Sequence, residues 1–219
     1  NRWQEINVWN DLGIIYQELG DLATAQTRLE QGLRLAQEIG DEAGQAMLYS
    51  NLGLVVRDQG NLMMAEQLLS DGLNLVQGEQ NKYQRSFFFS YLGTVSLQAH
   101  RLEQAIGQAQ AALTLRQELA MRLNTADDLA TLAQAHLLRG DLAQALEYVR
   151  PALAILDECG GQGPEFPQRD YFIGYQVLAA AGEEATAQAA LQTAYNLVMA
   201  RAGKITDPAL HQSFLERVA

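Results

Sequence analysis

Cysteine, proline and aromatic residues are all scarce in this sequence of 219 residues, and their scarcity argues against a disulfide-bonded fold and against a sandwich of short strands. Cys159 is the only cysteine, so that no internal disulfide can form, which is typical of a reducing compartment. Only 4 prolines and an aromatic content of 7% argue against a sandwich of short strands and favour helices. Because hydrophobic residues make up 48% of the chain, a large buried core is expected. We therefore predict a helical protein of the cytoplasm.

Positive charge is also in short supply. The chain has 15 lysines and arginines against 26 aspartates and glutamates, a formal net charge of −11. Such a surface repels phosphate backbones and anionic lipid, so we predict that this segment binds neither nucleic acid nor a membrane. The sequence contains no run of about 18 apolar residues and no charged-then-apolar leader. Because it begins with Asn1 rather than Met, we expect it to be a piece of a longer protein.

The motifs of enzymes and metal sites are missing as well. The sequence has no GxxxxGK[ST] or GxGxxG loop for phosphates, no HExxH, no cysteine pair and no GxSxG elbow. The three histidines, His100, His136 and His211, are not spaced as metal ligands. We therefore predict that the protein is not an enzyme and has no catalytic residues, no cofactor and no metal site.

The sequence does contain one motif that occurs four times. The first copy reads "DLGIIYQELGDLATA" at 11–25, and later copies follow at steps of 40 residues. A weaker fifth copy places Gly182 where Gly140 stood, a step of 42 residues. The four strong copies align on their second residues, which are Leu12, Leu52, Leu92 and Leu132. Repetition at such a period predicts stacked units of one supersecondary motif.

Each copy reads as two helices joined by a tight turn. Trp9, Leu12, Gly13 and Tyr16 lie at i, i+3, i+4 and i+7, which is one stripe of a helix. A glycine then closes the first helix, and an Asp or Asn caps the second. These pairs are Gly20-Asp21, Gly60-Asn61 and Gly140-Asp141. The third copy has His100-Arg101 instead, so we expect a less well capped turn there.

A single helical hairpin cannot bury both of its faces, whereas stacked hairpins can. We therefore predict an all-α fold, a right-handed superhelical α-solenoid of about five helical hairpins in a single domain over 1–219. The "GGQGPEFPQ" stretch at 160–168 predicts a longer loop between hairpins, and a terminal helix with Asp207 as its N-cap is expected to cover the open end of the stack. The predicted hairpins cover 5–40, 41–80, 81–120, 121–160 and 168–202, and the capping helix covers 207–218.

The columns of this repeat resemble the tetratricopeptide repeat in its long form, with the first copy closest (Trp9, Leu12, Gly13, Tyr16, Ala25). The chain is similar to the arrays of bacterial signal-transduction ATPases and transcription regulators, and also to animal spindle-orientation adaptors. The resemblance implies a non-catalytic protein-interaction or sensor module, part of a larger bacterial signalling regulator. It would bind a peptide segment or effector in a concave groove.

The first helices would line that groove, on a stripe rotated from the core stripe. The resemblance implies partner contacts at these columns, and Arg57 would be their one strong cation. The predicted partner-binding residues are Asn7, Asn10, Ile14, Gln17, Met47, Ser50, Leu54, Arg57, Phe87, Ser90, Thr94, Asp127, Gln134 and Gln176.

Three consecutive phenylalanines in "SFFFSY" (86–91) cannot share one helix face. We expect Phe89 in the core, Phe88 against the neighbouring repeat and Phe87 either covered by a helix or free to anchor a partner. Several functions stay open at this point: a peptide reader, a stand-alone scaffold or adaptor, or a small-molecule sensor. The groove could also be filled by the end of the chain or by a second copy, and the module could self-associate or pack on missing domains.

Overall fold

The computed structural model describes residues 2–217, and over this range the regular secondary structure is entirely helical. Val218, which was expected at the end of the terminal helix, lies outside the described residues. Two short 3-10 helices, Glu79–Asn81 and Arg122–Asn124, precede the third and fourth hairpins. The α-helices are α1 Arg2–Glu18, α2 Leu22–Ile39, α3 Glu42–Asp58, α4 Leu62–Leu75, α5 Lys82–Gln98, α6 Leu102–Glu118, α7 Thr125–Leu138, α8 Leu142–Cys159, α9 Pro167–Ala180, α10 Glu184–Ala202 and α11 Pro208–Arg217.

The turns inside the hairpins have the predicted chemistry. Asp21 and Asp141 each accept a hydrogen bond from the backbone N–H three residues on, at 3.1 Å, and Asn61 does the same at 3.2 Å. The glycine before each cap has a positive φ, between 78° and 86°. In the third hairpin His100 takes this left-handed conformation with φ 56°, and Arg101 makes no side-chain cap. The expectation of a less well capped turn is confirmed.

The glycine that follows the aligned leucine of each of the first three copies (Gly13, Gly53 and Gly93) sets how closely the two helices of a hairpin approach. A Cβ atom built on Gly53 would lie 2.7 Å from Leu69 Cγ, and one on Gly13 would overlap the side chain of Leu29. At Gly93 a Cβ would lie 3.3 Å from the backbone nitrogen of Ala109. A larger side chain in this column would therefore force the two helices apart.

Contacts divide the chain into two compact units, Asn1–Phe88 with Ala202–Ala219, and Phe89–Arg201. In the first unit α1 packs on α2 and α3, and α3 packs on α4. In the second unit α7 packs on α6, α8 and α9. Consecutive first helices therefore lie side by side within each unit (α1 with α3, α7 with α9), as a wall of first helices requires. The predicted all-α fold of helical hairpins is confirmed, whereas a single domain over 1–219 stays a prediction.

The terminal helix α11 is present, and it belongs to the first unit. Asp207 caps it by accepting hydrogen bonds from the backbone N–H groups of Ala209 and Leu210, and Phe214 is buried. The Ser213 hydroxyl donates a hydrogen bond of 2.8 Å to the carbonyl oxygen of Gly20. This contact with the first hairpin was not predicted from the sequence.

The core of the second unit contains a fully buried ion pair among its apolar residues. Arg116 Nη1 lies 3.0 Å from Asp128 Oδ2, and neither side chain is exposed. Arg116 also donates to the carbonyl oxygen of Asn124, at 2.6 Å. The α8 helix runs unbroken through Pro151. No helix in the part of the chain described here is long and apolar enough to cross a membrane.

Candidate functional site

The structure separates the fourteen predicted partner-binding residues by accessibility. A buried side chain can contact a partner only if something is first moved off it. The exposed or half-buried residues are Asn7, Ile14, Gln17, Met47, Ser50, Phe87, Gln134 and Gln176. The buried residues are Asn10, Leu54, Arg57, Ser90, Thr94 and Asp127. Binding by any of them stays a prediction, but direct contact is open only to the first group.

Arg57 is not the exposed cation that the sequence suggested. Its side chain is only 7% exposed, and its Nη2 lies 2.7 Å from Asp58 Oδ1. Asp58 also accepts a hydrogen bond of 2.8 Å from Gln17 Nε2. Because a charge buried without a partner is strongly destabilising, Arg57 serves the packing of the first unit here. Sequence reasoning placed Arg57 on the correct helix but could not see how deeply it is buried.

A pocket of about 610 Å³ opens in the first unit, where the start of α3, the end of α4 and the start of α5 meet. Three of the predicted residues, Met47, Ser50 and Phe87, lie in its wall. The complete lining is Glu42, Ala43, Ala46, Met47, Ser50, Leu75, Val76, Asn81, Tyr83, Gln84, Phe87 and Phe88. A volume of this size accommodates several side chains of a peptide or one small molecule.

The aromatic side of the pocket settles the positions of two of the three phenylalanines. Phe88 is buried, and its ring packs so closely on α4 that a Cβ atom built on Gly72 would lie 2.5 Å from it. Phe87 is half-buried and meets the ring of Tyr83 edge to face, with centroids 5.1 Å apart. Phe89 was expected in the core, but it is only half-buried, because the register of α5 turns Phe88 inward instead. Phe87 therefore presents part of its ring to the pocket.

The charge of the pocket comes from Glu42, the one charged residue in its lining. Glu42 is exposed and begins α3, whose N-cap Asp41 accepts a hydrogen bond of 3.0 Å from the backbone N–H of Gly44. The amide side chains of Asn81 and Gln84 supply both donors and acceptors at the rim. An apolar cavity with one carboxylate at its edge suits an apolar side chain next to a positive charge.

In the second unit the predicted residue Asp127 is engaged by the chain itself. Its carboxylate accepts hydrogen bonds from the backbone N–H groups of Glu165 and Phe166, at 3.2 and 3.1 Å. The Tyr91 hydroxyl donates to the Glu165 carboxylate and lies 2.7 and 2.8 Å from its two oxygens. The loop between α8 and α9 therefore lies over this part of the first-helix wall. The sequence signals the loop by its glycines and prolines but contains no signal for its docking position.

Burial and neighbouring charges shift the pKa values of the acidic groups around Asp127. Arg169 donates two hydrogen bonds to Asp170 Oδ1, from Nε at 2.9 Å and from Nη2 at 2.7 Å. Burial raises the pKa of Asp170 well above its usual range, and the negative charge of Asp127 adds to that rise while Arg169 opposes it. Burial also raises the pKa of Tyr91, and the charge of Glu165 raises it further, so that the hydroxyl keeps its proton and acts as a donor.

His136 and Cys159 are two further side chains that could carry chemistry. Among residues 2–217 no cluster of three or more histidine, cysteine, aspartate or glutamate side chains could hold a metal ion. His136 is buried beside Tyr148, and burial lowers its pKa. The half-buried thiol of Cys159 lies 3.5 Å from the carbonyl oxygen of Leu156. The absence of enzymatic activity stays a prediction.

Comparison with known families identifies the repeat. A family model described as "Tetratricopeptide repeat" matches residues 4–77, which contain the first two hairpins. No curated protein matches the chain. The resemblance carried by Trp9, Leu12, Gly13, Tyr16 and Ala25 is confirmed, since all five lie within the matched range.

Solved structures share the fold over nearly the whole chain. BtubC (BKLC) from P. vanneervenii is 21% identical with a TM-score of 0.66, and the alignment covers 90% of this chain and 81% of that one. The Cut9-Hcn1 assembly of APC/C contains a chain that is 16% identical with a TM-score of 0.69, with 97% of this chain and 39% of that one covered. The apo form of RapI is 14% identical with a TM-score of 0.65, and the alignment covers 98% of this chain and 58% of that one. At these identities the similarity shows a shared fold, and this chain spans little more than half of RapI and less than half of the chain in the Cut9-Hcn1 assembly.

Proposed function

Because this chain belongs to the tetratricopeptide repeat family, a family of protein-interaction modules, we propose that it binds a peptide segment of a partner protein at the pocket of the first unit. The observation that carries the proposal is the half-buried ring of Phe87, which lies in the wall of an open cavity of about 610 Å³ together with Met47 and Tyr83. Aromatic and methionine side chains in a concave surface are typical of the central contacts of protein interfaces.

The chemistry of the pocket also indicates what the peptide should contain. An apolar or aromatic side chain would enter between Met47 and Phe87, where it loses contact with water. A lysine or arginine next to it would lie near Glu42. The net charge of −11 over the chain favours the same choice, since it attracts basic segments and speeds their association.

A small apolar molecule is the second candidate occupant. The pocket falls within the volume range of small-molecule sites, about 300–1,000 Å³, and its lining is largely apolar. Binding of this kind would make the module a sensor of a metabolite rather than of a protein. We place the peptide first because the pocket is open to solvent and two polar residues of its lining, Glu42 and Gln84, are exposed and can bind a chain that extends beyond the cavity.

The wider role that we propose is that of the sensor segment in a larger bacterial signalling regulator of the cytoplasm, with a stand-alone adaptor as the alternative. A nucleotide-binding or DNA-binding domain encoded next to these repeats supports the regulator. A reading frame that contains only the repeats supports the adaptor.

The test is selection from a randomised peptide library on the purified protein, followed by affinity measurements with the selected peptide. We expect a motif with one large apolar residue beside a basic one. Phe87→Ala should weaken binding by about tenfold or more, as for a central interface contact. Glu42→Gln should weaken basic peptides and leave neutral ones unchanged.

The matched control is Tyr195→Ala, which removes an aromatic ring that is 57% exposed on α10, outside the pocket. It should leave affinity unchanged. If no peptide is selected, or if Phe87→Ala and Tyr195→Ala behave alike, the pocket is not the peptide site. Retention of a small molecule by the purified protein, detected by native mass spectrometry and lost in Phe87→Ala, would instead support the metabolite sensor.

A further inference from the structure

The loop between α8 and α9 is held in the second unit in the way that a bound peptide would be. Within it, Pro164 is buried, while Gln162 and Gly163 on its near side are exposed. A Cβ atom built on Gly163 would lie 2.7 Å from Leu123 Cδ1, so that the backbone passes directly over that side chain. The loop therefore fits closely against the unit although it has no regular secondary structure.

Two side chains of the first-helix wall hold the segment 162–166 by different groups. Tyr91 of α5 binds its acidic side chain, with the hydroxyl 2.7 Å from Glu165 Oε1. Asp127 of α7 binds its backbone, through the N–H groups of Glu165 and Phe166. Recognition of one side chain together with the adjacent backbone is how peptide-binding sites read a short motif.

An ordinary helix cap does not account for this arrangement. In a cap, the side chain at the N-cap position accepts from the second or third N–H of its own helix. Here Phe166 is the N-cap of α9, and its side chain makes no such bond. The backbone N–H groups that donate to Asp127 belong to Phe166 itself and to Glu165, the residue before it. The contact with Tyr91 also joins residues 74 positions apart and involves no backbone group of α9.

The charge around the segment is mixed, since Arg169 is paired with Asp170 and lies 4.0 Å from Asp127 Oδ1. The Arg169 guanidinium donates a hydrogen bond of 3.3 Å to the carbonyl oxygen of Asp127. It also makes a cation–π contact with Phe166, whose ring centroid lies 5.1 Å from Arg169 Cζ. What selects a carboxylate at the position of Glu165 is therefore the Tyr91 hydroxyl, which donates a hydrogen bond to it.

We propose that segment 162–166 is an internal ligand covering a second peptide site, formed by Tyr91 and Asp127 on the second unit, and that this site takes an acidic partner peptide when the segment leaves. The ligand class is a short peptide with a glutamate or aspartate side chain for Tyr91 and two free backbone N–H groups for Asp127. This site differs from the first-unit pocket in its residues and in the charge that it selects, so it stands or falls independently of the function proposed above.

The experiment releases the segment and supplies the same motif from outside. The double substitution Pro164→Ala with Glu165→Ala removes the buried proline and the carboxylate that Tyr91 binds, so that only the backbone contacts with Asp127 still hold the segment, and it leaves Tyr91 and Asp127 in place. The probe is a labelled synthetic peptide with the sequence GQGPEFPQ, residues 161–168 of the chain. Its binding to the wild-type and released full-length proteins is followed by fluorescence polarisation.

We expect the released protein to bind the probe at least about tenfold more tightly than the wild type, because the site is no longer occupied. Amide hydrogens of the loop should also exchange faster in the released protein. A probe with glutamine in place of its glutamate should bind weakly, and adding Tyr91→Phe to the released protein should abolish binding.

Three results would overturn the proposal. The first is a loop whose amide exchange stays unchanged in the released protein, and the second is a mobile loop without binding of the probe. The third is a released protein that unfolds, which would show that the segment is a permanent part of the core. The single substitution Glu165→Gln distinguishes these cases at nearly constant shape, since it should loosen the loop without lowering the helical content measured by circular dichroism.

Discussion

Ser213 donates a hydrogen bond of 2.8 Å to the carbonyl oxygen of Gly20, and so joins two residues that are 193 positions apart. Gly20 closes α1 in the left-handed conformation, with φ 78°. A Cβ on Gly20 would lie 2.7 Å from the carbonyl oxygen of Ser213 and 3.0 Å from the backbone nitrogen of Phe214. The glycine therefore serves both the turn of the first hairpin and the docking of α11.

The double role of Gly20 predicts a difference between two otherwise equal substitutions. Gly60 has the same position in the second hairpin, with φ 85°, and nothing lies within 4 Å of its Cβ direction. Both Gly20→Ala and Gly60→Ala should lose about 1–2 kcal/mol from the left-handed backbone. Gly20→Ala should in addition detach α11, measured as faster amide exchange over 208–217. Equal exchange in both variants would contradict the close contact.

A second pair of glycines tests the packing inside the hairpins. Gly53→Ala should lower the free energy of unfolding by about 1–3 kcal/mol, because its Cβ meets Leu69 at 2.7 Å. Gly107 lies in α6 with nothing within 4 Å, so Gly107→Ala should raise that free energy by about 0.5–1 kcal/mol. Denaturation in urea measures both values. A gain in stability for Gly53→Ala would show that the helices are free to separate.

The buried pair Arg116–Asp128 predicts a large loss from a single truncation. Burial raises the pKa of Asp128 to about 7 although Arg116 opposes that shift, so the measurement belongs at about pH 8, where the carboxylate is charged. Asp128→Ala should cost about 3–5 kcal/mol, since it leaves a buried guanidinium without its countercharge. Glu158→Ala removes the partner of Arg122 in a pair that is more than half exposed and should cost less than about 1 kcal/mol. Similar losses in the two variants would contradict the burial of the first pair.

The raised pKa of Asp170 predicts how stability changes with pH. The unfolded carboxyl ionises near pH 4, whereas the folded one keeps its proton to higher pH because it is buried beside Asp127. The folded state therefore binds the extra proton, and stability falls as pH rises from about 4 through the folded pKa. Asparagine at this position resembles the protonated carboxyl. Thermal melts of Asp170→Asn should thus depend less on pH than those of the wild type, and a steeper dependence would contradict this assignment.

The hairpins were predictable because their information is local. Leu12, Gly13 and Ala25 recur at one period, and a capped helix needs only the glycine and the Asp or Asn next to it. The same locality predicted the weak third turn at His100. It also predicted the N-cap Asp207 and the loop before α9, each of which the structure contains.

The candidate site was predictable only in part, because accessibility depends on neighbours that are distant in sequence. Met47, Ser50 and Phe87 came from the helical stripe and do line the pocket. Arg57 and Asp127 came from the same stripe, yet they are buried, the first beside Asp58 and the second beneath the loop. A helical period states which residues share a face, but not what else covers that face.

The sequence by itself thus determined the unit of this protein, a helical hairpin repeated at a period of 40 residues, because periodicity, caps and small residues act over one or two turns of helix. Tertiary structure alone decided which parts of the wall stay open, where α11 docks, and which side chains bind the loop. Those outcomes depend on contacts such as Ser213 with Gly20 and Tyr91 with Glu165, which join positions 193 and 74 residues apart and leave no periodic trace in the sequence.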